Sequence, residues 1–345
     1  MYLLAFWSVI FFISLYFLIK GADLLVENSE KIGLAFRISP FIIGVTIIAV
    51  GTSLPELASS IAAVFKNTTE IVVANVIGSN IANILLIVGC SAVATMSFLS
   101  VKRSLIDIDL PLLASVTILF TFIIWDGYID RPEGILLVLS FVIYLLYTIS
   151  HREYIDNNDY IVSDEIFFEK TSKNREEMFE VIPLKKTPEK GRKSFKKIDF
   201  KVFLFLILGL VFLIAGANYL IDSVLKLSEI LNIGVSVITI FAVAVGTSLP
   251  EIIVSLRTVI QKKYEISLGN ILGSNIFNTL IVVGIPSLIK PLLVDNITFK
   301  IGFPFMIIAT FLLVISGISR RISVWEGSMF IMIYILFLAK IFNWF

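Results

Sequence analysis

The chain has 345 residues, of which 57% are hydrophobic and 16% are charged, and its formal net charge at pH 7 is +1. Together with a mean hydropathy of +0.95, this composition excludes an ordinary soluble domain, in which about a quarter of the residues are charged. It predicts a membrane protein built from several apolar segments, and no nucleic-acid partner is expected.

Ten apolar segments are each long enough, at about 20 residues, to cross the hydrocarbon core of a bilayer as a helix. They cover roughly residues 2–26, 38–65, 71–98, 108–125, 133–150, 200–224, 234–260, 266–289, 299–318 and 323–343. The alternating short strands of a membrane β-barrel are not visible. The predicted fold class is therefore an all-α polytopic membrane protein with ten transmembrane helices.

The first segment is interpreted as a transmembrane helix rather than a cleaved signal peptide. Residues 1–19 are apolar, but no basic residues precede them and no small-residue cleavage site follows. The stretch LIKGAD at 18–23 also resembles LIAGAN at 213–218, in the sixth segment. A signal peptide would have no such partner in the mature chain.

The second segment contains the sequence AVGTSLPE, which ends in Glu56. Gly51 and Pro55 weaken a helix at this point, because proline has no N–H and clashes with the carbonyl four residues before it. Thr52 lies four residues before Glu56, so the two side chains share a helix face, and Ser53 follows directly. A carboxylate at mid-bilayer costs roughly 2.5 kcal/mol or more and usually marks an ion or substrate path.

The third segment contains GSNIAN at 78–83, in which Ser79 and Asn83 are again four residues apart. Asn75 lies about one turn before this motif. Its predicted role is a hydrogen bond between helices, and the same role is predicted for Asn270.

The segment 151–199 is the one extended polar stretch, with 11 Lys/Arg and 11 Asp/Glu. The composition favours a solvated cytoplasmic linker between a first half, 1–150, and a second half, 200–345. The alternative is a regulatory element that binds a cation or lipid, since its basic part directly precedes the next helix and is placed to touch anionic headgroups.

Both motifs recur after this linker at a constant shift of 195 residues (244 − 49). AVGTSLPE is repeated at 244–251, GSNIFN stands at 273–278, and 21 of the 41 positions from 49 to 89 match their partners. The second copies supply Thr247, Ser248, Glu251, Ser274 and Asn278. Equivalent carboxylates in a duplicated chain predict one site at the interface of the repeats.

Pooled together, the candidate ligands of the two copies are all oxygen atoms: two carboxylates, hydroxyls, amide oxygens and freed carbonyls. Oxygen ligands without histidine or cysteine select hard cations such as Ca²⁺, Na⁺ or Mg²⁺. Ca²⁺ tolerates a mixed and flexible shell better than Mg²⁺. Small residues at helical spacing also occur merely to allow close packing, but packing does not explain two buried glutamates and two prolines in register.

The positions of the basic residues predict the orientation of the chain. With an external N-terminus, the internal connections contain the basic residues of 151–199 and Lys31, Arg37, Lys102, Arg103, Lys262, Lys263, Arg320 and Arg321. The external connections contain only Lys66, Arg131, Lys226, Lys290 and Lys300. The positive-inside rule then places both termini outside. Because each half has five crossings, the two repeats are predicted to be inverted.

GTSLPE followed by GSNIxN, present twice in inverted halves, resembles the α-repeats of the calcium/cation antiporter superfamily, in particular the archaeal and bacterial sodium/calcium exchangers. The corresponding segments are 44–89 and 239–284. The resemblance implies a membrane antiporter of the cell membrane rather than an enzyme, without a cofactor, that transports Ca²⁺ and Na⁺ as a single chain. It also implies alternating access, in which the first and sixth helices slide across the other eight.

The resemblance further implies a role for each motif residue. Glu56 and Glu251 would be shared by Ca²⁺ and Na⁺, and the backbone carbonyls of Thr52 and Thr247 would complete the Ca²⁺ site. Asn83 and Asn278 would line its middle. The two flanking Na⁺ sites would be formed by Glu251 with Ser53, Ser79 and the carbonyl of Ala49, and by Glu56 with Ser248, Ser274 and the carbonyl of Ala244.

One position separates this chain from part of that family. Some members have aspartate at the position of Asn278, and in the potassium-dependent branch that acid is associated with K⁺. Asparagine therefore argues against K⁺ dependence, but it leaves two acids, as in members that exchange Ca²⁺ for protons. The serine hydroxyls favour Na⁺, and Ca²⁺/H⁺ exchange is the alternative.

Two other classes of protein fit the sequence less well. A channel usually surrounds its pore with several subunits or repeats. An intramembrane protease needs a nucleophile with a base or a metal set, whereas the lone His151 lies outside the predicted spans and no paired aspartates stand in adjacent helices.

Overall fold

The computed structural model describes residues 2–36, 38–100, 109–162, 199–230 and 248–342. Most of them are helical. In chain order the helices are α1 (Tyr2–Phe36), α2 (Pro40–Thr52), α3 (Leu54–Phe65), α4 (Glu70–Ala94), α5 (Leu110–Asp126), α6 (Arg131–Val162), α7 (Phe200–Ile230), α8 (Leu249–Ile260), α9 (Tyr264–Ile289), α10 (Thr298–Ile318) and α11 (Val324–Ile341).

Within these ranges, seven helices are long and apolar enough to span a membrane, and the bent pair α2–α3 makes an eighth candidate. The shorter apolar helix α5 corresponds to a further predicted span. Of the predicted span 234–260, the structure describes the part from residue 248 onwards, and α8 begins at the next residue. Each of the ten predicted segments contains a helix as far as the chain is described, and seven or eight of these helices qualify as membrane spans.

Three helices extend further than hydropathy predicts, and one of them is α7, which continues to Ile230 beyond the predicted end at residue 224. α1 continues to Phe36, beyond the predicted end at residue 26, and α6 continues to Val162, into the segment 151–199 that was predicted to be linker. Hydropathy reports the apolar part of a helix. It does not report how far the backbone hydrogen bonds continue past that part.

Two short antiparallel strand pairs join connections from opposite halves of the chain. β1 (Phe98–Ser100) pairs with β4 (Arg321–Ser323), and β2 (Tyr128–Ile129) pairs with β3 (Leu292–Leu293). The repeat shift of 195 residues relates the two pairs, since it carries Phe98 to Leu293 and Ser323 back to Tyr128, and Phe98 pairs with Ser323 as Leu293 pairs with Tyr128. The last helix begins directly after β4 with a capping box between Ser323 and Glu326.

Helices α1 and α7 pack closely along each other through glycines. A Cβ atom on Gly21 would lie 2.7 Å from the backbone nitrogen of Leu213, and one on Gly216 would lie 2.9 Å from that of Leu18. These two contacts are also related by the shift (21 + 195 = 216 and 18 + 195 = 213). Small residues allow such close approach of membrane helices.

The buried apolar side chains form two separate clusters. The larger one is built mainly by α4, α5, α6, α9, α10 and α11. The smaller one joins α1 and α7 to α2 and α8, the helices that carry the AVGTSLPE copies, with Leu18, Leu25, Ile48, Leu213 and Leu249 among its members. The pair α1–α7 therefore packs on the site helices apart from the main core.

Candidate ion-binding site

Both motif glutamates lie in the first turn of a short helix. The helix axis bends by 40° between α2 and α3, and Glu56 stands in the first turn of α3. Glu251 occupies the same position in α8. The repeat shift carries the first and last residues of α3 onto those of α8 (54 + 195 = 249 and 65 + 195 = 260). The positive end of a helix dipole favours a carboxylate in this turn.

The residue directly before each of these two helices is a serine in the N-cap position. Ser53 has φ −90° and ψ 5°, and Ser248 has φ −89° and ψ 9°. Neither uses its hydroxyl to cap the helix that follows. The hydroxyls are consequently available to other groups of the site.

The two repeats meet where α2 packs against α9 through glycines. A Cβ atom on Gly44 would lie 2.6 Å from the carbonyl oxygen of Ile266, and one on Gly273 would lie 2.6 Å from that of Val45. Larger residues would force the two helices apart. This approach sets the AVGTSLPE motif of the first repeat beside the GSNIFN motif of the second.

Hydrogen bonds between the repeats connect the motif side chains. Ser53 Oγ donates to Glu251 Oε1 at 3.0 Å. The hydroxyls of Ser79 and Ser248 lie 3.2 Å apart, and Asn278 Nδ2 donates to Ser79 Oγ at 3.2 Å. All five side chains are buried. Two hydrogen-bonded groups therefore connect the repeats, and their members are separated by up to 199 residues in sequence.

Several buried oxygen atoms of the motif residues have no hydrogen-bond partner among the described residues. They are both carboxylate oxygens of Glu56, Glu251 Oε2, Asn83 Oδ1, Ser274 Oγ and Asn278 Oδ1. Buried polar atoms without partners are costly, and a bound cation would satisfy oxygens of this kind. The donor set fits a hard cation, because Ca²⁺ and Na⁺ are held by carboxylate, hydroxyl and amide oxygens.

The remaining predicted ligands are only partly described. The carbonyl oxygen of Ala49 already accepts from the backbone nitrogen of Ser53 at 3.1 Å and from Thr52 Oγ1 at 3.3 Å. Thr52 Oγ1 also lies 3.3 Å from Asn270 Oδ1. Ala244 and Thr247 lie outside the described residues, so the structure does not place them.

The prediction that Asn270 links helices is confirmed by its bond from Nδ2 to Ser255 Oγ on α8, at 3.0 Å. For Asn75, Nδ2 has no partner among the described residues. The described chain contains no group of three or more His, Cys, Asp and Glu side chains suited to a metal. A cation between the motifs would therefore depend on neutral oxygens as well as on the two carboxylates.

Two features of the site were not predicted from the sequence. Asn83 and Asn278 each lie at the start of a π-helical segment, Ala82–Val88 in α4 and Asn278–Val282 in α9. Such segments widen the helix and are frequent at functional sites. In addition, Asn80 forms cross-repeat hydrogen bonds to α9. The repeated GSN sequence was the available signal for Asn80, but it does not reveal the partner.

A cavity of about 380 Å³ reaches the serines of the site. It extends from the exposed residues Ile71 and Ile297 to the buried residues Ser79 and Ser248. Asp295 also lines it. Burial disfavours the charged form of Asp295, but hydrogen bonds from the Thr298 hydroxyl and from backbone amides outweigh this and lower its pKa. The cavity thus carries a fixed negative charge.

Comparison with known proteins identifies the family. The family described as "Sodium/calcium exchanger protein" matches residues 6–150 and 201–343, which together are most of the chain. This protein belongs to the sodium/calcium exchanger family. The two matched segments coincide closely with the two predicted halves and omit the polar segment between them.

Individual relatives agree over nearly the full length. Sodium/calcium exchanger MaX1 of Methanosarcina acetivorans is 31% identical, with 97% of this chain and 98% of the relative covered. The putative antiporter CaxA of Alkalimonas amylolytica is 30% identical, with 95% and 96% covered. The solved structure of the sodium/calcium exchanger from Methanococcus jannaschii superimposes with a TM-score of 0.76 at 28% identity, covering 97% and 98% of the two chains.

These matches confirm the predicted family and the class of multi-pass helical membrane protein. The relatives are named exchangers and antiporters, so the prediction of a transporter rather than an enzyme is also confirmed.

Proposed function

We propose that this protein is a secondary active antiporter of the cell membrane that exchanges Ca²⁺ for Na⁺ by alternating access. The observation that carries the proposal is the pair of buried glutamates, Glu56 and Glu251, with carboxylate oxygens that lack partners among the described residues. In a member of the sodium/calcium exchanger family, two such carboxylates balance the charge of one Ca²⁺ or of two Na⁺.

The proposed site uses the motif residues in the roles that the family resemblance implies. Glu56 and Glu251 are shared by both ions, with the carbonyls of Thr52 and Thr247 on Ca²⁺ and Asn83 and Asn278 at the centre. The flanking Na⁺ sites use the serines and the alanine carbonyls: Ser53, Ser79 and Ala49 on one side, and Ser248, Ser274 and Ala244 on the other. The bond from Ser53 to Glu251 supports the first flanking set.

The proposed layout has ten crossings in two inverted five-helix repeats, residues 1–150 and 200–345. Both termini are outside, and the segment 151–199 is cytoplasmic. The repeat-related strand pairs support the symmetry, and the excess of basic residues in the proposed internal connections supports the orientation. One chain is proposed to suffice for transport, because both halves of the site lie within it.

Cations are proposed to enter through the cavity that leads to Ser79 and Ser248. Asp295 attracts cations into it, and in this orientation Asp295 lies on the external side. The moving part is proposed to be the pair α1–α7. Its packing in a cluster apart from the main core supports such a motion.

The exchange is proposed to be electrogenic and independent of K⁺. Asn278 offers no carboxylate to hold K⁺. If three Na⁺ exchange for one Ca²⁺, as the resemblance implies, one positive charge moves in each cycle. The movement of one charge through 100 mV is worth about 2.3 kcal/mol, so the membrane potential should change the flux measurably.

The deciding experiment measures Ca²⁺ uptake into vesicles that contain the purified protein, with imposed Na⁺ or pH gradients, with and without K⁺, at clamped potentials. Uptake that follows the Na⁺ gradient and the potential but not K⁺ is expected. Uptake that follows the pH gradient and ignores Na⁺ would establish the Ca²⁺/H⁺ alternative. Ca²⁺ movement without any opposing gradient would indicate a channel.

A further inference from the structure

Asn80 connects the two repeats directly beside the site, although it is not among the ligands proposed above. It lies on α4, is buried, and donates from Nδ2 to Thr279 Oγ1 at 2.8 Å and to the backbone oxygen of Asn275 at 3.3 Å. Both partners lie on α9. The side chain is thus fixed against the opposite repeat at its amide nitrogen.

These partners determine which way the Asn80 carboxamide faces. A backbone carbonyl only accepts hydrogen bonds, so the group that approaches the Asn275 oxygen must be the NH₂ group. The Thr279 hydroxyl donates its proton to the same oxygen at 2.9 Å, which leaves its own oxygen free to accept from Asn80. The Oδ1 atom of Asn80 therefore faces away from Thr279, towards Asn278.

The orientation of Asn80 in turn fixes that of Asn278. Asn278 Nδ2 lies 3.4 Å from Asn80 Oδ1 and 3.2 Å from Ser79 Oγ, and it donates to both. Its own Oδ1 is then directed away from these two groups. That oxygen is buried and has no hydrogen-bond partner in the described part of the chain. It is an acceptor that a cation can use, whereas the NH₂ group would repel a cation.

The equivalent residues of the other repeat lack this arrangement. Asn275 occupies the same motif position as Asn80 (80 + 195 = 275), but its Nδ2 donates to the Ile271 carbonyl of its own helix at 2.7 Å. Asn83, the equivalent of Asn278, has no partner for either amide atom among the described residues. Only one of the two central asparagines is held in a defined orientation here.

We propose that Asn80 is a positioning residue that keeps the carboxamide oxygen of Asn278 turned towards the cation site. The proposal rests on the proposed function for the identity of the ion. It predicts that the loss of Asn80 acts through Asn278, so the two positions must be energetically coupled. A residue that merely stabilised the helices would show no such dependence.

The test is a double-mutant cycle on equilibrium Ca²⁺ binding by the purified full-length protein, with thermal unfolding as the check on folding. Asn80→Ala should weaken Ca²⁺ binding about five- to tenfold, the effect of one buried hydrogen bond. In an Asn278→Asp background both terminal atoms are oxygens, so orientation no longer matters and Asn80→Ala should not weaken binding. Equal losses in the two backgrounds, or no loss in either, would overturn the proposal.

Asn275→Ala is the matched control, because it removes the same buried residue type at the same motif position without touching Asn278. It should change Ca²⁺ binding less than twofold, and a loss as large as that of Asn80→Ala would contradict the proposal. If the Asn80→Ala protein unfolds, Asn80→Leu replaces it, because leucine keeps about the same side-chain volume without the carboxamide. The same five- to tenfold loss of Ca²⁺ binding is expected, and a change of less than twofold in the folded variant would reject the positioning role.

Binding and transport separate this proposal from the proposed function. A wild-type protein that binds Ca²⁺ but shows no uptake driven by a Na⁺ gradient would refute Na⁺ coupling. The double-mutant cycle on Ca²⁺ binding would still decide the role of Asn80.

Discussion

Arg257 on α8 and Asp23 on α1 form a bidentate ion pair, in which Nη2 lies 2.8 Å from both carboxylate oxygens and Nε lies 3.0 Å from Oδ1. Gln261 donates to the same carboxylate at 3.3 Å. Just beyond the end of α8, Lys263 bonds Glu30 of α1 at 2.7 Å. Helix α1, which is proposed to move, is thus linked by an ion pair to α8, which carries Glu251.

Breaking the first of these pairs should destabilise the protein in this conformation. The Arg257 side chain is 33% exposed and that of Asp23 is 15% exposed, so solvent screening limits the expected loss for Arg257→Ala to about 1 kcal/mol. Thermal unfolding in detergent measures it. The charge exchange Asp23→Arg with Arg257→Asp should recover part of the loss. Lys226→Ala removes the more exposed pair with Glu229 and should leave the midpoint unchanged; an equal shift would contradict the prediction.

The two site glutamates give the most direct test of the ion site. Glu56→Gln and Glu251→Gln should each reduce Ca²⁺ exchange about 100-fold or more while folded protein remains in the membrane. A divalent ion would then keep a net charge at mid-depth, at a cost of roughly 2.5 kcal/mol or more. Uptake into vesicles measures the effect, and Glu229→Gln on the surface serves as control. Normal exchange by either site variant would refute the two-carboxylate site.

The close approach of α1 and α7 predicts a steric effect of substitution at Gly21. A Cβ atom there would meet the backbone of Leu213 at 2.7 Å and that of Gly209 at 2.8 Å. Backbone atoms cannot move aside as a side chain does, so Gly21→Val should cost about 1–3 kcal/mol of stability. Unfolding followed by circular dichroism measures this cost.

Gly78 provides the comparison, since a Cβ atom there would have no neighbour within 4 Å. Gly78→Ala should be neutral or should stabilise the helix by up to about 1 kcal/mol, because alanine is the better helix former. Similar losses at Gly21 and Gly78 would show that the close approach of α1 and α7 is not what Gly21 provides.

The polar segment between the repeats should be dispensable for basal exchange. It lies outside both family-matched ranges, and its composition suits a solvated connector. Replacement of residues 163–198 by a Gly/Ser linker of equal length preserves α6 and leaves a flexible chain with a mean span of roughly 30–35 Å. Exchange should continue at a comparable rate. Complete loss in a folded variant would place this segment within the transport mechanism.

The repeated motifs were sufficient to predict that Glu56 and Glu251 are buried in the helical part of the chain. They point to a candidate site, because membrane helices seldom bury carboxylates unless an ion or substrate binds them. The position of the helix break between α2 and α3 was harder to predict. Gly51 and Pro55 indicate a weak helix, but the backbone breaks at Ser53, between them. Helix ends inside an apolar segment depend on packing that composition does not report.

The partners within the site could not be predicted from the sequence. The two GSN motifs are identical over their first four residues, yet Asn80 reaches across to α9 while Asn275 bonds within its own helix. Likewise Ser53 bonds a glutamate, and its equivalent Ser248 contacts Ser79. Identical sequences can take different partners once the two repeats adopt different positions in one conformation.

The exchange of strands between the halves, β1 with β4 and β2 with β3, has a consequence for the origin of the molecule. Each repeat pairs with the other through equivalent strands, as two identical subunits do in an isologous dimer with a two-fold axis. In the inverted layout proposed above, a chain half as long, inserted into the membrane in both orientations, would find the equivalent strand partners in a second copy of itself. Fusion of two such copies would allow their sequences to diverge. The single chain could then give its two central asparagines different surroundings, which a symmetric pair of identical subunits cannot do.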